Sequence, residues 1–253
     1  MTELALETRA LCKNFGALAV ANEINFGLAV GARHALIGPN GAGKTSFVNL
    51  VTGALAPSSG HVLLDGHDVT RLSQAHRVKR GLARTFQINQ LFRGLTVLEN
   101  VTLAITERHG FAGDFLRPAG RRRAVIEEAY ALLERLGIAD EAMRPVKELA
   151  YGRQRLVEIA VALGLDPKVL LLDEPAAGVP SGEAGRTIVD VIERLGADIA
   201  LLIIEHDMDL VFRLARRITV LVQGAILVEG TPQEIAADPR VREVYLGEHV
   251  HHP

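Results

Sequence analysis

Apolar residues along the chain are arranged in two alternating ways, as short uninterrupted runs and as longer stretches with helical spacing. An uninterrupted run predicts a strand covered on both faces, as in a parallel sheet, whereas helical spacing predicts an amphipathic helix. The runs that predict core strands are His34–Ile37, Val169–Asp173, Ile199–Glu205 and Ile218–Gln223. Because helical stretches lie between these runs, we predict an α/β fold with a mostly parallel core sheet.

Other segments mix apolar and polar residues and predict a separate antiparallel sheet, here called the β lobe. They are Leu4–Thr8, Ala19–Phe26, His61–Leu64 and the hairpin around Gln223-Gly224. The chain is therefore expected to contain two sheets of different character.

The region between Leu82–Phe86 and Val169 is predominantly helical. Its clearest helix is Arg121–Leu136, followed by Gly137 at a position typical of helix ends. The apolar face of this helix consists of Val125, Ala129, Leu132, Leu133 and Leu136. We expect one domain over residues 1–248: a RecA-like core with the β lobe (1–86 and 166–230), an inserted helical subdomain (87–165) and C-terminal helices (231–248), before a tail at 249–253.

Composition and charge narrow the possible partners. The formal net charge is −2, and no basic excess or cluster of interleaved basic and aromatic residues points to nucleic acid. The longest apolar runs fall well short of the roughly 20 residues that span a bilayer, and the start MTELALETRA lacks the features of a signal peptide. If the protein serves transport, other chains are expected to form the pore.

The segment Gly38–Thr45 matches the P-loop pattern in full, with an apolar strand before it and an amphipathic helix after it. Glycines let backbone N–H groups wrap a polyphosphate, and the helix N-terminus adds partial positive charge. Lys44 is expected to bridge the β- and γ-phosphates and Thr45 to ligate Mg²⁺. The predicted phosphate-binding residues are Gly38, Pro39, Asn40, Gly41, Ala42, Gly43, Lys44, Thr45 and Ser46.

Two carboxylates, Asp173 and Glu174, end a strongly apolar predicted strand. Metal-assisted phosphoryl transfer needs one acid near the metal and one near the attacking water. Asp173 is therefore predicted to hold Mg²⁺, directly or through water, and Glu174 to polarise the water.

Four further landmarks, taken with these two motifs, resemble ABC ATPases in order and spacing. The resemblance implies that Phe15 stacks on adenine, that Gln87 touches the metal or water and reports to membrane subunits, and that His206 contacts the γ-phosphate. The segment Leu149–Arg155 resembles the ABC signature, which implies nucleotide contacts from Tyr151, Gly152 and Arg153. The implied fold is the P-loop ABC ATPase fold.

Longer stretches resemble the ATP-binding subunits of branched-chain amino acid uptake systems. They are Arg84–Gln87, Leu91–Asn100, Glu174–Gly178, Glu205–Met208 and Val244–Glu248. The resemblance implies an ATPase that uses ATP and Mg²⁺ and powers import from the cytoplasmic face of the inner membrane as a peripheral subunit. The implied partners are a second ATPase subunit, identical or related, two integral membrane permeases and, indirectly, a substrate-binding protein.

Two departures from the ABC pattern leave a different function open. Ala150 stands where a serine commonly contacts the γ-phosphate, and Pro180 stands where the following loop usually carries Asp or Asn. These departures admit a subunit with little turnover.

Two other functions also remain as alternatives. The chain could be the ATPase of a lipopolysaccharide exporter, because such ATPases have a similar ending, or an ABC ATPase that does not serve transport.

Overall fold

The computed structural model describes residues 3–85, 91–110, 119–178 and 183–247. The strands are β1 (Leu4–Phe15), β2 (Leu18–Ala29), β3 (Arg33–Ile37), β4 (Ser59–Leu64), β5 (His67–Asp68), β6 (Leu82–Arg84), β7 (Val169–Asp173), β8 (Ala200–Ile204), β9 (Arg217–Val222) and β10 (Ala225–Gly230). The α-helices are α1 (Lys44–Thr52), α2 (Gln74–Val78), α3 (Val97–Arg108), α4 (Ala119–Arg135), α5 (Tyr151–Gly164), α6 (Glu183–Glu193), α7 (Met208–Leu214), α8 (Pro232–Ala237) and α9 (Pro239–Gly247). Two short 3₁₀ turns lie at Ala139–Glu141 and Val146–Glu148.

In the described part of the chain, the core sheet has six strands in the order β10-β9-β3-β8-β7-β6. The pairs β3–β8, β3–β9 and β7–β8 are parallel. All four predicted core strands are present, and β7 has the predicted bounds. The α/β prediction with a mostly parallel core sheet is confirmed, because strands buried on both faces keep the uninterrupted apolar runs seen in the sequence.

A second sheet is antiparallel and has the order β2-β1-β4-β5, as expected for the β lobe. Its strand β1 continues to Phe15, well beyond the predicted Leu4–Thr8. The register with β2 shifts between Thr8 and Leu11, where Ala10 lies in the left-handed region at φ 43°, and this breaks the alternation. A bulge of this kind moves side chains to the other face, which hid the second half of the strand from the sequence pattern.

The hairpin around Gln223-Gly224 corrects one prediction. It is antiparallel, but it joins β9 to β10 and so belongs to the core sheet and not to the β lobe. Helix α7 carries the chain across to β9, which pairs in parallel with β3, so the tight turn then adds β10 along the outer edge of β9.

The chain forms two compact units. The first contains residues up to 82, 168–174 and from 196 onward, and the second contains 83–167 and 175–195. The predicted helical subdomain ended at residue 165, whereas the second unit also includes the segment that carries α6. The division into core, helical subdomain and C-terminal helices otherwise stays a prediction.

In the first unit the hydrophobic core joins both sheets to α1. Phe47 of α1 is buried, and its ring meets the ring of Phe26 of β2 edge-on with centroids 5.5 Å apart. The helix that follows the phosphate loop is thereby anchored on the antiparallel sheet.

The second unit is built on α3, α4, α5 and α6. The predicted apolar face of α4 is buried, and Gly137 has φ 69° just beyond the helix, as predicted. Thr96 and Glu99 form a capping box at the start of α3. Among the residues that the structure describes, no helix combines the length and the apolar character needed to cross a membrane.

Candidate nucleotide site

Gly38–Thr45, here called the phosphate loop, connects β3 to α1. Gly38, Gly41 and Gly43 have φ values of 154°, 75° and 100°, a region that residues with a Cβ rarely adopt. Two of them also touch neighbouring backbone: a Cβ on Gly38 would lie 2.2 Å from the carbonyl oxygen of Leu221, and one on Gly43 would lie 2.7 Å from that of Val20. The loop therefore depends on glycine both for its conformation and for its close contacts.

Lys44 begins α1 and its ammonium group lies over the phosphate loop. The Nζ atom donates to the carbonyl oxygens of Gly38 and Pro39 at 2.5 and 3.0 Å. Thr45, in the first turn of the helix, is exposed. The helix start thus brings together a cation, a hydroxyl and backbone N–H groups that have no partner inside the helix, the combination that binds phosphate.

The two predicted carboxylates lie at the carboxyl end of β7. Asp173 is buried and pairs in register with Ile204 of β8. Glu174 follows it with φ 46° and donates its N–H to the carbonyl oxygen of Ile204 at 2.9 Å. Left-handed backbone at a glutamate is uncommon, and such strain tends to occur at functional sites.

His206 lies next to Glu174, as the prediction of a shared site requires. Its Nδ1 atom is 3.7 Å from Oε1 of Glu174 and 3.8 Å from Oε2 of Glu205. Because β3, β7 and β8 are parallel, the phosphate loop, the acid pair and His206 all follow the carboxyl ends of strands at one edge of the sheet. The structure therefore brings Lys44, Asp173, Glu174 and His206 to a common edge.

Sequence reasoning missed Glu205 as a supporting residue. Its side chain is buried, and Oε2 accepts the N–H of His206 at 3.0 Å and that of Asp207 at 3.4 Å. These bonds fix the backbone from which His206 projects. A carboxylate that ends an otherwise apolar strand was the available signal.

Arg77 of α2 is a second residue that the sequence did not single out. It is only 1% exposed, and its guanidinium donates to the carbonyl oxygens of Leu50 and Val51 in the last turn of α1 at 2.7 and 2.6 Å. It also donates to those of Thr70 and Leu72 at 2.8 and 3.2 Å. Burial lowers the pKa of Arg77, yet the group remains a cation that closes the C-terminal end of α1.

Phe15 ends β1 and is 53% exposed. The Nζ atom of Lys13 lies 5.0 Å from the centroid of its ring and also donates to the carbonyl oxygen of Ala56 at 2.9 Å. An exposed aromatic ring of this kind is available for stacking on a base.

The predicted signature residues lie in the second unit. Ala150 is the N-cap of α5 and has no side-chain cap bond, so the helix start presents backbone groups alone. Arg153 donates to the carbonyl oxygen of Gly137 at 3.2 Å, and its Nε atom is 3.6 Å from Oε2 of Glu141. Gly152 is buried and Tyr151 is 41% exposed.

Gln87 and Pro180 lie outside the residues that the structure describes. The predicted contact of Gln87 with the metal or water therefore stays a prediction, and so does the effect of Pro180 on ATP turnover.

Comparison with known proteins identifies the family. Residues 21–177 match the ABC transporter family, and residues 225–251 match the branched-chain amino acid ATP-binding cassette transporter family. The chain is 39% identical over 256 residues to the high-affinity branched-chain amino acid transport ATP-binding protein BraF of Pseudomonas aeruginosa, covering 98% of this chain and 100% of that protein. It is 38% identical over 255 residues to the ATP-binding protein LivG of Escherichia coli K12, with the same coverage.

Solved structures agree with these sequence matches. The ADP conformation of an ATP-binding cassette from an ABC transporter superposes with a TM-score of 0.84 at 32% identity, covering 98% of this chain and 100% of that one. The predicted ABC ATPase fold is confirmed, and neither an exporter ATPase nor an ATPase outside transport is favoured. The site geometry, the family matches and the shared fold together establish that this chain belongs to the ABC transporter family, as an ATP-binding cassette of its branched-chain amino acid branch.

Proposed function

We propose that this chain binds ATP with Mg²⁺ at the phosphate loop and hydrolyses it to power the import of branched-chain or related amino acids. The observation that carries the proposal is the meeting of the phosphate loop, Glu174 and His206 at one edge of the parallel sheet. The relatives BraF and LivG, which are named for branched-chain amino acid transport, support the class of substrate.

The residues present suit Mg²⁺ and a triphosphate. The Thr45 hydroxyl and the Asp173 carboxylate are oxygen ligands, and Mg²⁺ is commonly held by one or two protein oxygens together with phosphates and water. When bound, the metal neutralises charge on the phosphates. Gln87 is proposed as a further contact to the metal or the water.

Residues of the chain itself are proposed to bind the phosphates and the base and to activate the attacking water. Lys44 and the N–H groups at the start of α1 hold the β- and γ-phosphates, and Phe15 stacks on the base. Glu174 accepts a hydrogen bond from the attacking water and polarises it as a general base. His206 donates a hydrogen bond to the γ-phosphate. The bonds from the His206 and Asp207 N–H groups to Glu205 keep that histidine in place.

The start of α5 is proposed to act on a second subunit. Its first-turn N–H groups near Tyr151 and Gly152 form an anion site that would close over ATP held by a partner cassette, which is either an identical or a related chain. Arg153 is proposed to assist there. Because Ala150 offers no side-chain oxygen, closure is expected to depend on backbone groups and to be weaker than with serine.

Phosphate release by Glu174→Gln tests the proposed chemistry. We expect the rate to fall by about 10²–10⁴-fold, the usual contribution of a general base, while ATP binding persists. Glu134→Gln changes an exposed glutamate of α4 in the same way and should leave the rate unchanged. Equal rates for Glu174→Gln and wild type would show that the hydrolysis site is wrongly assigned.

Uptake measurements test the proposed physiological role. Cells that carry Glu174→Gln should lose uptake of radiolabelled leucine, isoleucine or valine, and tagged wild-type chain should recover two membrane permeases at the inner membrane. Normal uptake of these amino acids in the mutant cells would refute the substrate class and leave the ATPase assignment to the phosphate-release assay.

A further inference from the structure

The turn between β9 and β10 lies directly beneath the phosphate loop. Gln223 and Gly224 have φ values of 48° and 79°, which defines a tight two-residue turn with both residues left-handed. The N–H of Gly224 donates to the carbonyl oxygen of Ala42 at 2.9 Å, and the carbonyl oxygen of Gly224 accepts the N–H of Asn22 at 2.8 Å. One residue of the turn is thus bonded to the phosphate loop on one side and to β2 on the other.

The bond to Ala42 fixes the orientation of a peptide group inside the phosphate loop. In a trans peptide the carbonyl and the next N–H point in opposite directions. Since the carbonyl of Ala42 points at Gly224, the N–H of Gly43 points away from the turn. The turn therefore determines which way that N–H is presented.

Close packing leaves no room for a side chain at this position. A Cβ on Gly224 would lie 2.9 Å from the carbonyl carbon and oxygen of Val20 and 3.2 Å from the nitrogen of Ala21. The contacting atoms are backbone of β2, which cannot rotate away as a side chain could. A substitution must therefore displace the turn, the strand or the phosphate loop.

We propose that Gly224 is a positioning residue for ATP binding. Its N–H holds the Ala42–Gly43 peptide so that the phosphate loop presents the Gly43 N–H to the phosphates, and its carbonyl ties the same turn to β2. The inference rests on the proposed binding of ATP at this loop. Strand β2 begins at Leu18, which pairs with Phe15, so the same bridge links the base end of the proposed site to its phosphate end.

The test compares Gly224→Ala with Gly66→Ala by calorimetric titration with Mg-ATP and with inorganic tripolyphosphate. Gly66 also has a left-handed backbone, at φ 73° in the turn between β4 and β5, but a Cβ there would meet no atom of the described residues within 4 Å apart from its immediate chain neighbours. Both variants are strained by a positive φ, whereas only Gly224→Ala disturbs the phosphate loop. We expect Gly224→Ala to bind both ligands about tenfold more weakly, which is the effect of losing the one hydrogen bond from the Gly43 N–H to phosphate. Gly66→Ala should bind both ligands as wild type does.

Chemical unfolding of both variants separates binding from stability. If Gly224→Ala is folded and binds both ligands with wild-type affinity, the inference is overturned. Failure of wild type itself to bind ATP would instead refute the proposed function.

Amide hydrogen exchange in the wild-type protein provides a second test that does not require a substitution. Saturating tripolyphosphate should slow exchange at the Gly224 amide more than at the Val69 amide, which is bonded to Val62 at 2.9 Å away from the phosphate loop. Equal slowing of the two amides would contradict the proposed link. This measurement decides the question if Gly224→Ala does not fold.

Discussion

Replacing Arg77 by methionine should destabilise the first unit strongly, because this arginine closes the C-terminal end of the helix that follows the phosphate loop. Its guanidinium bonds four backbone carbonyls from a position that is 1% exposed. The last carbonyls of a helix have no partner within the helix. Methionine fills a similar volume but donates no hydrogen bond.

The expected loss follows from opposing contributions. A hydrogen bond to a charged group stabilises by about 1.5–3 kcal/mol, so four independent bonds would sum to far more than is realistic. One cation is shared among them, and burying it costs several kcal/mol that the methionine variant no longer incurs. The carbonyl oxygen of Val51 loses its buried donor, at about 1–3 kcal/mol for a group left unsatisfied, whereas that of Leu50 keeps the N–H of Gly53 at 3.3 Å. We therefore expect a net loss of about 3 kcal/mol, a large part of the roughly 5–15 kcal/mol typical of folded proteins.

Equilibrium urea unfolding measures this loss, with Arg9→Met as the matched control. The Arg9 side chain is 60% exposed and pairs with Glu7 on the surface, so its replacement should change the free energy of unfolding by less than about 0.5 kcal/mol. Arg77→Lys keeps the charge but not the planar fork of donors, so its loss of unfolding free energy should lie between those of Arg77→Met and Arg9→Met. A loss for Arg77→Met no larger than that for Arg9→Met would refute the reasoning.

Two further predictions concern Lys44 and His34. Lys44→Ala should weaken ATP binding about 10- to 100-fold, because a charged hydrogen-bond donor to phosphate is removed, and calorimetry should show no change for the exposed Lys147→Ala. Burial lowers the pKa of His34 from 6.5 to about 4, so the unfolded chain takes up a proton that the native chain does not. The contribution of neutral His34 to the free energy of unfolding is fully present above pH 6.5 and decreases as the pH drops toward 4. His34→Gln should reduce this slope in urea unfolding at stepped pH, whereas an unchanged slope, or an equal reduction in the exposed His67→Gln, would contradict the assignment.

Much of the candidate site could be predicted because its parts are local in sequence. The phosphate loop, the acid pair after β7 and the residue after β8 each follow an apolar run, and parallel strands bring their carboxyl ends to one edge. The supports of the site could not be predicted in this way. Arg77 and Gly224 act through backbone atoms of residues far away in the chain, and nothing in the neighbouring sequence marks those contacts.

The sequence by itself determined the core strands, the face of α4 that is buried and the position of the phosphate loop, because the period of apolar residues and the demands of a phosphate cradle are both local. Only the tertiary structure decided that β10 joins the core sheet, that Arg77 closes α1 and that Gly224 holds the Ala42 carbonyl. The physical reason is that strand pairing and backbone contacts between distant segments depend on how the elements pack. A local pattern of residues does not contain that information.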